Sequence, residues 1–96
     1  MDVMHFDFPA ATPVARRAHV GVVASGDLEV LIEPATDQAA RITVTTSVQG
    51  YGTVWRSVIE RFVARHGAAA MIEINDFGAT PGMVMLRLEQ ALEASR

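Results

Sequence analysis

Apolar and polar positions alternate in three early stretches of the chain. Ala18, Val20 and Val22 fall on one side of residues 17–23. Leu28, Val30 and Ile32 do the same in 28–33, with Glu29 and Glu33 opposite. In 41–48, Ile42, Val44, Thr46 and Val48 alternate with Thr43, Thr45 and Ser47. A period of two with dense β-branching predicts three strands. The first two flank Ala24-Ser25-Gly26-Asp27, which has turn chemistry, so they predict a β-hairpin. Residues 33–40, with Pro34 and Asp37, predict a second loop.

The period changes after Gly50-Tyr51-Gly52. From Thr53 to His66 the apolar residues Val54, Val58, Phe62 and Trp55, Ile59, Val63 take helical spacing. Thr53 is the expected cap and Gly67 the expected terminator. An apolar run over 69–74 predicts a short strand. Thr80-Pro81 then opens a second helix, with Thr80 as N-cap and Val84, Met85, Leu88, Ala91 and Leu92 as its apolar stripe. The order β-β-β-α-β-α predicts an α+β fold: a mainly antiparallel sheet with two helices on one face. Residues 1–15, broken by Pro9 and Pro13, read as an N-terminal arm ahead of a single domain over 16–96. Phe6 and Phe8, two apart, allow a short edge strand there.

Composition narrows the function. The 96 residues suit one domain, and 50% hydrophobic residues supply a core. Eight basic and eleven acidic residues give a net charge of −3, with no basic block beyond Arg16-Arg17. Nucleic-acid binding is therefore not expected. With no cysteine, disulfides, thiolate zinc sites and thiol catalysis drop out. Any thiol chemistry must use an attached group. No stretch approaches a membrane span, and the N-terminus has no signal-peptide pattern, so the expected location is the cytoplasm.

Candidate chemistry is sparse. His5, His19 and His66 have no metal-ligand spacing, so no metal site is expected. The carboxylates give no recognisable acid–base pair, so no catalytic residue is assigned. Gly78-Ala79-Thr80-Pro81-Gly82 lies between strand and helix, a position that can face a phosphate, but it lacks a phosphate-loop pattern. Ser25 is expected to be exposed at the hairpin tip and uncrowded beside Gly26. Without a neighbouring base it is a poor nucleophile and a good substrate for a modifying enzyme. Read by local chemistry alone, Ser-Gly is also ordinary turn sequence.

Two separated segments change that balance. Ser25-Gly26-Asp27-Leu28-Glu29-Val30-Leu31 resembles the modification segment of the malonate decarboxylase acyl carrier (delta subunit) family. Asp76-Phe77-Gly78-Ala79-Thr80-Pro81-Gly82 and Leu86-Arg87-Leu88-Glu89-Gln90 resemble the same family, in the same order. The resemblance implies a non-catalytic carrier subunit. Ser25 would bear 2′-(5″-phosphoribosyl)-3′-dephospho-CoA through a phosphodiester, with Gly26 and Asp27 shaping the modification turn. It also implies partners: transferase and decarboxylase subunits, and a synthase that loads the arm. A carrier of the citrate lyase type, or an unmodified scaffold subunit, are the alternatives.

Overall fold

A computed structural model describes residues 1–96. Its elements are β1 (Asp2–Pro9), β2 (Thr12–Pro13), β3 (Ala18–Gly21), β4 (Leu28–Pro34), β5 (Ala39–Thr46), α1 (Gly52–His66), β6 (Ala68–Asp76) and α2 (Pro81–Ser95). The main sheet runs in the order β1-β5-β6-β4-β3, with β2 beside the start of β6. The α+β reading holds. β1–β5, β4–β6 and β3–β4 are antiparallel, while β5 and β6 are parallel and joined through α1.

β6 lies between β5 and β4 because it is the strand with the most to bury. Ala68, Ala69, Ala70, Ile72 and Ile74 are all buried, and only Met71 and Glu73 are exposed. Its insertion separates β4 from β5, which are successive in the chain. Leu28, Val30 and Ile32 of β4 and Ile42 and Val44 of β5 fill the same layer, as their alternation predicts. α2 packs over β3 and β4; α1 packs against α2 and β1. Trp55, Val58, Ile59, Phe62 and Val63 from α1 meet Val84, Leu88, Ala91 and Leu92 from α2 in one core. Each large apolar side chain buried this way contributes about 1.5–3 kcal/mol before entropy is counted. The opposite sheet face carries Thr43, Glu73 and Glu29 and has no helix over it.

Several local expectations need correction. The edge strand that Phe6 and Phe8 allow is present but longer than expected, residues 2–9 pairing along their length with β5, and Phe6, Ala10 and Val14 are buried. The backbone N–H groups of Ala15 and Arg16 donate to the Ser95 carbonyl at 2.8 and 3.0 Å. The segment 1–15 is therefore built into the sheet and core rather than set apart from 16–96. Val22 does not continue β3. Gly21 turns the chain at φ +90°, and a Cβ there would lie 2.1 Å from the Leu28 carbonyl oxygen. Val22 is consequently exposed. Thr53 does not cap α1; Tyr51 occupies the cap position, without a side-chain bond. Thr80 does cap α2, accepting from the Met83 N–H at 3.2 Å, with Pro81 next to it. Gly67 ends α1 at φ +59°, its N–H donating to the Val63 carbonyl at 2.8 Å.

Candidate functional site

The hairpin connection spans residues 22–27, and Val22 through Gly26 are exposed. Within it the Asp27 N–H donates to the Ala24 carbonyl at 3.0 Å. That closes a four-residue turn with Ser25 and Gly26 at its centre. Gly26 has φ +80°, the sign that a type II turn demands at this position. A Cβ built on Gly26 meets nothing within 4 Å apart from its chain neighbours, so the turn is open at Gly26. The glycine is needed for its backbone conformation and not for packing.

Two backbone bonds fix this turn to the end of β6. The Gly26 N–H donates to the Phe77 carbonyl at 2.7 Å, and the Phe77 N–H to the Asp27 carbonyl at 2.9 Å. They prolong the β4–β6 ladder, in which Leu28 faces Asp76. Gly78 follows at φ +97°, and a Cβ there would approach the Gly26 nitrogen at 3.8 Å. The two sequence segments that resemble one family are thus adjacent in space.

Asp27 supplies the third anchor. Its Oδ1 accepts from the Leu28 N–H at 2.7 Å and from Arg87 Nε at 3.2 Å; its Oδ2 accepts from Arg87 Nη2 at 3.0 Å. This is a two-pronged guanidinium–carboxylate pair reaching from α2 to the turn, with both side chains largely covered. The Arg87 hydrogen bond, followed by that of the Leu28 N–H, holds the Asp27 carboxyl below the usual carboxylate range. Arg87 also donates to Gln90 Oε1 at 3.1 Å. Sequence reasoning placed Arg87 in a familiar segment but gave it no task. Sixty residues separate it from Asp27, and no local pattern signals so distant a pair.

Asp76, at the end of β6, is buried with both carboxyl oxygens occupied. Oδ2 accepts from the Thr46 hydroxyl at 2.8 Å and Oδ1 from the Ala79 N–H at 3.0 Å. It is a structural clamp between β5, β6 and the loop to α2.

The remaining titratable groups lie elsewhere. His5 bonds Thr43, His19 bonds Glu29 and His66 bonds Glu89. Glu29 also accepts from Asn75 at 2.7 Å, and Glu33 lies 3.4 Å from Arg17. The chain has no lysine. The hydrogen bonds that shape the turn involve Gly26, Asp27, Leu28 and Arg87, and the one carboxylate among them, Asp27, has both oxygens engaged by Arg87 and the Leu28 N–H. The arrangement places an exposed serine on a turn held by backbone bonds and by the Asp27–Arg87 pair.

Comparison with known proteins points to one family. The family model described as malonate decarboxylase delta subunit (MdcD) matches residues 15–95. The malonate decarboxylase acyl carrier protein of Pseudomonas aeruginosa (strain UCBPP-PA14) is 55% identical over 94 residues, covering 97% of this chain and 95% of that one. The Azotobacter vinelandii protein of the same description is 52% identical over the same shares. A chain in the crystal structure of a Pseudomonas malonate decarboxylase hetero-tetramer in complex with malonate superposes with a TM-score of 0.93 and 48% identity, over all of both chains.

Proposed function

Because the chain belongs to the malonate decarboxylase delta-subunit family, whose members are acyl carriers and not catalytic subunits, we propose that Ser25 is its attachment point for the phosphoribosyl-dephospho-CoA arm. The observation that carries this reading is the exposed turn itself. Ser25 is exposed on it, while backbone bonds and the Asp27–Arg87 pair hold the turn on both sides.

The residues fit such a group. The uncrowded side of Gly26 leaves room for a bulky phosphodiester on the neighbouring oxygen. When bound, the arm supplies the thiol that this cysteine-free chain lacks, on which acetyl and malonyl groups are held as thioesters. The chain's own work is presentation. Gly26 gives the turn its shape, and Asp27 and Arg87 keep it in one position as successive partners dock. Deprotonation of the Ser25 hydroxyl, formation of the new phosphorus–oxygen bond and departure of the donor's leaving group from that phosphorus are tasks for the loading enzyme. Tethering keeps the acyl group at an effective concentration of about millimolar near each partner's site. In this reading the partners are the transferase and decarboxylase subunits and the synthase that loads the arm, all in the cytoplasm. No helix here is long and apolar enough to cross a membrane.

The test is the intact mass of the protein from malonate-grown cells, with the modified peptide mapped. The expected result is an adduct of the phosphoribosyl-dephospho-CoA mass on Ser25. Ser25→Ala should then abolish decarboxylation by the complex while leaving stability within about 0.5 kcal/mol, as for other exposed substitutions. An unmodified chain in an actively decarboxylating complex would promote the scaffold reading instead.

A further inference from the structure

Two large apolar side chains stand in solvent a few residues from Ser25. Val22 and Val23 are 58% and 54% exposed. Local backbone bonds hold them there. Gly21 ends β3 at φ +90° and turns the chain away from the sheet. The Ala24 N–H donates to the Val22 carbonyl at 3.1 Å, closing a three-residue turn centred on Val23. The Asp27 N–H donates to the Ala24 carbonyl and closes the next turn, around Ser25 and Gly26. Two successive turns therefore tie the valines to the serine. Phe77, bonded through its backbone to Gly26 and Asp27, is half-buried beside them. Residues 22–26 carry no charged side chain, and the charges next to them, Asp27 and Arg87, are paired with each other.

We propose that Val22 and Val23 are the docking patch for the enzyme that loads the arm, and that they fill an apolar recess beside its active site. The inference rests on the carrier reading above. Position selects the partner. Loading joins the Ser25 oxygen to the phosphorus of a phosphoanhydride donor, breaks the anhydride bond with release of inorganic phosphate or pyrophosphate, and passes the serine proton to the loading enzyme. That enzyme must close on Ser25 itself. At about 3.3–3.6 Å per residue, Val22 and Val23 lie no more than about 11 Å from it. A protein interface of about 800 Å² per partner is about 30 Å across, so both valines fall inside the footprint. Partners that handle the acyl group work at the thiol, which is separated from Ser25 by a phosphoribosyl group and the whole of dephospho-CoA. They have no need to cover the root of the arm. Chemistry selects the recess. The neutral surface around Ser25 offers no charge for a partner to read, whereas removing two valines from water is favourable.

The experiment follows loading of the full-length carrier by its loading enzyme, as the initial rate of mass increase against carrier concentration. Val22→Thr with Val23→Thr exchanges one methyl of each valine for a hydroxyl and keeps the β-branched shape, and circular dichroism verifies the fold. The double variant should raise the KM for the carrier about tenfold, and each single variant about fourfold, with kcat unchanged. Met71→Thr, at a side chain 45% exposed on the bare sheet face, should load like the unaltered chain. Driven to full loading with excess enzyme, the double variant should support decarboxylation by the complex at the unaltered rate. An unchanged KM overturns the docking patch. A fall in kcat at unchanged KM also overturns it, because the valines then set the position of Ser25 and not the affinity. Normal loading followed by slow decarboxylation assigns the patch to the subunits of the complex and overturns the loading enzyme as its partner. An unaltered chain without the arm in a complex that decarboxylates overturns the carrier reading itself, and is seen in the mass before any variant is compared.

Discussion

The two ends of β6 are finished in different ways. At its start, Gly67 closes α1, the Thr12 N–H donates to the Gly67 carbonyl at 3.0 Å, and three alanines follow into the core. The Ser95 carbonyl nearby takes two further N–H groups from the N-terminal segment. At its finish, Phe77 holds the Ser25 turn by two backbone bonds, and Val22 and Val23 stay exposed. Both ends use a glycine at positive φ with space around it: Gly67 at +59° and Gly26 at +80°. One glycine terminates a helix and the other presents a hydroxyl. The difference lies in what the tertiary structure brings against each turn, not in the turn residue.

That contrast can be broken outright at Gly21. Gly21→Val should abolish cooperative unfolding, because its Cβ would overlap the Leu28 carbonyl oxygen in addition to the strain of a positive φ. Circular dichroism on heating checks this. Phe62→Ala strikes the shared core of α1 and the sheet, where Phe62 is almost fully buried. It should cost about 3–5 kcal/mol in denaturant unfolding while leaving the turn able to accept the arm.

A matched pair sharpens the comparison further. Gly26→Val and Gly67→Val should each cost about 1–2 kcal/mol for the left-handed backbone. Only Gly26→Val should slow loading of the arm, measured as the rate of mass increase with the loading enzyme. Equal loading rates in the two variants would show that the turn shape is irrelevant to modification.

The smallest effect concerns acid. Arg87 lowers the pKa of Asp27, and His66, followed by Arg65, lowers that of Glu89. A depressed carboxylate contributes stability above its unfolded pKa and loses it as pH falls through the folded value. Both contributions are therefore complete at neutral pH and fade from about pH 4 downward. Arg87→Ala should flatten the Asp27 part of that decline and speed amide exchange at Gly26 and Leu28. His66→Ala should flatten the Glu89 part without affecting the turn. If both variants affected exchange at the turn alike, the two ends of the molecule would be one coupled unit.

Much of this protein is local and was therefore legible in its sequence. The alternation Leu28, Val30, Ile32 fixed a buried strand face, because side chains on a strand repeat every two residues. The helical spacing of Trp55, Val58, Ile59, Phe62 and Val63 fixed a buried helix face, although Val54, read with them, is exposed; Thr80-Pro81 and Gly67 marked helix ends by their own backbone chemistry. The Ser-Gly turn was equally plain, and Ser25 is exposed on it as expected. What the sequence left open depended on contacts between distant segments. The placing of β6 between β4 and β5 turned on which strand could bury most when all were assembled. The N-terminal segment, broken by two prolines, allowed a short edge strand at Phe6 and Phe8, but that it pairs over all of residues 2–9 is decided by the edge that β5 offers. Val22 read as a strand residue until the Leu28 carbonyl required Gly21 to turn away. Arg87 is an ordinary helix residue until folding carries it to Asp27. Local propensity acts within a few residues and is written in them; partnership across tens of residues is decided only when the whole core closes.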